Sequence, residues 1–154
     1  MNYWLVKSEP DDFSLDDLLT KGENGEGWNG VRNYQARNFM RDDMKLGDLV
    51  FFYHSSCKEV GVVGLAKVVR EAYADPSQYD PESRYFDPKA TQETPRWYQV
   101  DIAYQRALPR RVSLQEIKAD PALSEIALIK RSRLSVMPIE QQHAKRLLEL
   151  AESP

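Results

Sequence analysis

The sequence predicts an α+β fold: a curved sheet of mixed or antiparallel strands, a small open barrel, with short helices at its margins. Strand-like stretches recur at Tyr3–Ser8, Leu49–Tyr53, Val60–Val69 and Trp97–Ala107. Between them lie mostly loops and short helical patterns, not the regular crossover helices that a parallel sheet requires. With 154 residues, 42% of them hydrophobic and 29% charged, the chain is long enough to bury one core.

Tyr3–Ser8 (YWLVKS) is rich in β-formers and stops at Glu9-Pro10, where proline, lacking a backbone N–H, ends the run. Ser14 supplies an N-cap for a short helix through Leu15, Leu18 and Leu19, with Asp16 and Asp17 where the helix dipole favours acids. Residues 22–27 form a glycine-rich loop. It is not a phosphate loop, because Trp28 stands where the lysine of G-x-x-x-x-G-K-[ST] belongs and no serine or threonine follows.

Asn33 then caps a second helix reaching to about Arg41, with Arg37 and Arg41 on one face and Phe39 and Met40 turned to the core. The turn Met44–Asp48 launches Leu49–Tyr53, which pairs as a hairpin with Val60–Val69; Gly61 and Gly64 mark a bulge or a close backbone approach. Glu71–Pro95 carries four prolines and no sustained period, a long excursion of the kind that often carries function. Trp97–Ala107 alternates as a half-buried strand should. Ser113–Glu116 has capping-box form, and Asp120-Pro121 can start a further turn of helix. Leu128–Met137 reads as strand-like or irregular. Pro138 is expected at the first position of a closing helix, with Ile139, Leu147, Leu148 and Leu150 facing inward and His143 bordering the core.

Several function classes are disfavoured. No apolar run approaches the ~20 residues of a membrane helix, and the start lacks the build of a signal peptide. A lone cysteine, Cys57, cannot form an internal disulfide, so a cytoplasmic setting is expected. One Cys and two His leave no zinc ligand set. A His54–Cys57 pair would need a base held within hydrogen-bond reach, and both sit in one flexible loop. Paired carboxylates such as Asp11-Asp12, Asp16-Asp17 and Asp42-Asp43 flank helix starts and turns, which explains them without catalysis. No catalytic residue, metal or cofactor is expected.

The net charge of -3 argues against gripping nucleic acid by bulk electrostatics. Yet seven Lys/Arg stand against three Asp/Glu between Arg106 and Arg133, a local basic strip. Residues 28–40 concentrate an indole, a phenol, three asparagines (Asn29, Asn33 and Asn38) and two arginines. Such a set suits a flat polar ring beside a phosphate: aromatic faces stack on a base, amides read its edge and arginine pairs with the backbone. Composition alone leaves open whether Trp28 and Tyr34 do this or fill the core.

YWLVKSEP, GWNGVRNYQARNFM, MKLGDLVFFYHS, GVVGLAKVV, RWYQVDI and IKRSRLSVMP occur in this order and together resemble the EVE domain family. The resemblance runs from roughly Asn2 to Leu150 and implies a single EVE domain over residues 1–152. EVE domains are similar to PUA and YTH domains, so it implies a PUA-like β-barrel of mixed strands flanked by short helices. The function implied is non-catalytic binding of nucleic acid through an aromatic pocket for a flipped, modified base, with 5-methylcytosine or a related cytosine in DNA favoured over RNA. The partner is therefore such a nucleic acid, with no membrane, and the chain a monomer or weak homodimer. Alternatives are an RNA-binding PUA-like module, or a pocket protein or enzyme acting on a nucleoside-like ligand through His54 and Cys57.

Carried over residue by residue, Trp28 matches the cage tryptophan of YTH domains, and Lys7 and Ser8 the strand-end pair that meets the base edge. Asn33, Tyr34 and Asn38 belong to the EVE motif and can read that edge. Phe52, Tyr53 and Trp97 stand where further cage walls are expected. Arg37, Arg131 and Arg133 are the phosphate candidates. Leu134 occupies the pocket position where YTH domains carry an acid, which argues against methyladenine.

Overall fold

The computed structural model describes residues 1–153. In chain order its elements are β1 (Tyr3–Ser8), α1 (Leu15–Thr20), β2 (Glu26–Gly27), α2 (Tyr34–Asn38), β3 (Leu49–His54), β4 (Gly61–Ala74), β5 (Tyr98–Ser113), α3 (Leu114–Ala119), α4 (Ala127–Lys130), β6 (Val136–Ile139) and α5 (Gln141–Glu152).

All six strands share one mixed sheet, ordered β2-β5-β4-β3-β1-β6. β1 runs parallel to β3, from Tyr3 opposite Leu49 to Ser8 opposite His54, and antiparallel to β6. β2–β5, β3–β4 and β4–β5 are antiparallel. The outer strands β2 and β6 do not pair with each other, so the expected barrel is not closed and the strands form one open mixed sheet. Its curvature comes from the long β4–β5 ribbon, whose register shifts at four places; each bulge adds local twist and bend.

Because β1 and β3 are parallel, the loops that follow them emerge at the same end of the sheet. Leu5, Val6, Phe51 and Phe52 from these two strands are fully buried, together with Ile102 of β5. α5 closes the core with His143, Ala144, Leu147 and Ala151. Asp48, itself buried, accepts hydrogen bonds from the Trp4 indole at 2.9 Å, the Asn2 amide at 3.1 Å and the Lys45 amide at 2.9 Å, tying the β3 turn to the start of β1.

Local signals place the helix starts. Ser14 and Ser113 each form a capping box, with Asp17 and Glu116, and the Asn33 side chain accepts from the Ala36 amide. The second helix is shorter than expected in α form and continues as a π-type turn over Phe39–Asp43. Leu19 is turned to solvent rather than to the core. Leu128–Met137 divides: α4, an exposed turn, then β6. Pro138 does not open the last helix. It pairs opposite Trp4 within β6, which an edge strand tolerates because the missing N–H faces outward, and α5 begins after the Glu140 cap. The two-residue β2, inside the glycine-rich loop, carries no periodic signal and exists only because β5 offers it an edge.

Candidate functional site

The end of β1, the loop after it, the β2–α2 loop and the long β4–β5 connection surround a cavity of about 670 Å³. Trp28 forms one side. Its backbone N–H donates to the Val100 carbonyl at 2.8 Å, which hangs the residue on β5. Its ring meets Phe52 edge-on at 5.6 Å and Phe13 at 6.0 Å. Trp28 is 9% exposed and lines the cavity.

The three tryptophans differ in one respect. Trp4 donates its indole N–H to Asp48 and Trp97 donates to Asp87, both through carboxylates. Among the described residues, nothing accepts from the Trp28 indole N–H, and it is not among the buried polar atoms sealed without a partner. A tryptophan that fills a core normally finds such an acceptor. This one keeps a free donor beside a hollow.

Lys7 and Ser8 come in at the end of β1. The Lys7 backbone N–H donates to the Ser135 carbonyl at 2.9 Å and its ammonium to the Ser132 carbonyl at 2.8 Å, so the α4–β6 turn is fastened to the cavity rim. Burial pulls the Lys7 pKa below the usual lysine range, and no carboxylate pairs with it among the described residues. The Ser8 hydroxyl donates to the Phe13 carbonyl and keeps its own lone pairs free to accept.

Tyr85 also lines the cavity, and an ion pair with a buried carboxylate holds it there. The Arg32 guanidinium reaches the fully buried Asp75 carboxylate at 3.1 Å and donates to the Tyr85 carbonyl at 2.8 and 3.2 Å. Asp75 also accepts the Gly30 N–H at 2.8 Å. Gly30 has φ +79°, and a Cβ there would lie 2.5 Å from the Tyr85 ring, so only glycine lets the loop pass under that ring. Across the mouth, Arg84 meets Asp12 at 3.8 Å, both well exposed.

Of the residues expected in a base pocket, Lys7, Ser8 and Trp28 converge on this cavity. Phe52 is fully buried and lies behind Trp28 as a brace. Tyr53 and Leu134 are core residues that do not line the hollow, and burial pushes the Tyr53 phenol up to about 12. Arg131 and Arg133 are exposed on the turn that Lys7 fastens. Asn33, Tyr34, Arg37, Asn38 and Trp97 form a separate group. Asn33 is occupied as a cap, Asn38 accepts from Arg37 at 2.8 Å, and Tyr34 stacks on the buried Trp97 at 4.8 Å. They separate because α2 packs its aromatic side against the start of β5, whereas Trp28 is held further along that strand.

Phe13, Tyr85, Gly30 and Ser135 line the cavity without any sequence signal of their own, apart from the proline-rich excursion that carries Tyr85. His54 and Cys57 are not assembled as a pair: the His54 Nε2 accepts the Leu15 amide at 3.1 Å, capping α1. Among the described residues, no three His, Cys, Asp or Glu side chains cluster as metal ligands, and no helix is long and apolar enough to cross a membrane.

The EVE domain family model matches residues 2–150. The chain is 41% identical over 169 residues to thymocyte nuclear protein 1 of Mus musculus, covering 99% of this chain and 74% of that protein. A crystal structure of a protein from Pseudomonas putida superposes with a TM-score of 0.91 at 47% identity, covering 97% of this chain and 99% of that one. The human THYN1 protein, solved in complex with DNA containing 5-methylcytosine, superposes with a TM-score of 0.95 at 38% identity, covering 100% of this chain and 99% of that one. Fold, motif order and likeness along the whole chain agree: the chain belongs to the EVE domain family.

Proposed function

We propose that this protein is a non-catalytic reader that binds DNA carrying 5-methylcytosine or a related modified cytosine, by taking one extruded base into the Trp28 cavity. The observation that carries the reading is the meeting of Trp28, with its unpaired indole N–H, and the uncompensated Lys7 on one hollow. The likeness to human THYN1, solved with such DNA, supports the choice of ligand.

Extruding a base costs a few kcal/mol of stacking and pairing. Trp28, Phe13 and Tyr85 restore stacking, worth about 1–3 kcal/mol per base. Lys7 and Ser8 meet the base edge, while Arg131 and Arg133, on the rim turn, take the strand's phosphates. Phe52 acts through Trp28, and Tyr53 and Leu134 only as packing beneath. A methyl group adds about 1 kcal/mol of apolar burial, so preference over plain cytosine is about fivefold unless a polar contact contributes.

The test is a titration, at fixed salt, of duplexes that differ only in one cytosine modification. Binding that favours the modified duplex, and that Trp28→Ala weakens by about 1–3 kcal/mol, supports the reading. Equal, weak binding of all duplexes that Trp28→Ala leaves unchanged sinks it.

A further inference from the structure

Arginines and aromatic rings alternate along the face that α2 shares with the start of β5. Arg32 lies 5.4 Å from the Tyr85 ring and 5.2 Å from the Trp97 ring. Trp97 stacks on Tyr34 at 4.8 Å and 23°. Arg37 lies over Tyr34 at 4.7 Å and Arg96 over the same ring at 5.9 Å. The row begins at Tyr85, in the cavity wall, and ends at Tyr34, which is 48% exposed.

The charges along this row are unevenly answered. Arg32 pairs with Asp75, Arg41 with Asp42 and Arg96 with Asp87. Arg37 has no carboxylate partner among the described residues. Its Nε and Nη2 donate to the Asn38 Oδ1 at 3.1 and 2.8 Å, and its Nη1 to the Arg96 carbonyl at 2.9 Å. A guanidinium has five N–H donors, so two remain. Desolvation and then the neighbouring Arg41 cation pull its pKa below the usual arginine range. It is a cation held in position by neutral acceptors, short of negative charge, on an aromatic surface. That chemistry complements a phosphate beside a stacked or packed sugar-base unit.

We propose that this row is a second nucleic-acid contact: Arg37 binds a backbone phosphate and Tyr34 packs against a nucleotide flanking the extruded one. The proposal rests on the reading of the cavity as a base pocket. Three steps of about 5 Å separate Tyr85 from Tyr34, a distance that a few nucleotides of one DNA strand span. A strand that leaves the cavity past Tyr85 therefore comes within range of Arg37.

The experiment measures affinity across a salt series for a duplex with one 5-methylcytosine and for its unmodified twin. Arg37→Gln is expected to weaken both duplexes about tenfold, leave their ratio unchanged and lower the salt slope by about one. Arg37→Lys, which keeps the charge, is expected to restore the slope. Trp28→Ala should instead erode the ratio between the two duplexes. Unchanged affinity and slope in Arg37→Gln overturn the second contact, whatever Trp28→Ala does. A loss shared by Arg37→Gln and Arg37→Lys with a matching drop in Tm also overturns it, since packing would then be the cause. A ratio of one that Trp28→Ala does not alter sinks the base pocket instead.

Discussion

The Arg32 guanidinium contacts the buried Asp75 carboxylate at 3.1 Å, and the same guanidinium holds the Tyr85 carbonyl. One ion pair thus anchors both the glycine loop and the long excursion, the two segments that face each other across the cavity. Its members lie 43 positions apart, so the wall is a product of the fold and not of either loop.

Arg32→Met is expected to destabilise the protein by about 3–5 kcal/mol, because it strands the Asp75 charge in the interior. Urea unfolding measures the loss. If Asp75 is held mainly by its bonds from Gly30 and Ser77, the variant will unfold near the wild-type midpoint. Arg32→Met with Asp75→Asn together should recover part of the difference, since the stranded charge is gone.

Gly30→Ala tests the wall directly. The added methyl meets the Tyr85 ring, and alanine must adopt φ +79°. A backbone strain of about 1–3 kcal/mol is expected, seen as a lower Tm, together with weaker binding of the modified duplex as Tyr85 is displaced. An unchanged Tm and affinity would mean that the loop can move away from Tyr85 freely.

His54 should give the protein a dependence on pH near neutrality. Its Nε2 accepts the Leu15 amide, which only the neutral ring can do, and burial depresses its pKa below the ordinary 6.5. A depressed pKa means that its contribution is fully present above about pH 6.5 and is lost as pH falls through the lower folded value. Carboxylates held low by arginine partners, such as Asp120 beside Arg146, lose their contribution only in more acidic solution. Between pH 7 and 5, therefore, the Tm of the wild type should fall and that of His54→Gln should fall less. Parallel curves for the two proteins would remove His54 from the account.

Much of the local structure was legible in the chain because its causes are local. The caps Ser14, Asn33 and Ser113 act within three residues of themselves, and the apolar strands β1 and β3 state their own burial. Pro138 misled for the same reason: as a local signal it marks a helix start, but pairing with Trp4 across the sheet edge outweighed it. β2 was invisible, because a two-residue strand is defined by its partner alone.

By itself, the sequence determined the order of elements, the helix caps, the family motifs and the presence of an indole and a strand-end lysine suited to a base. Tertiary structure alone decided which of those groups meet. Trp28, Lys7 and Ser8 share a hollow with Tyr85 and Phe13, while Tyr34, Arg37 and Trp97, from the same motif or its neighbours, stand apart on another face. The reason is physical: caps and periodicity depend on contacts a few residues apart, whereas a cavity is what remains unfilled after distant strands have packed, and no single stretch of chain encodes it.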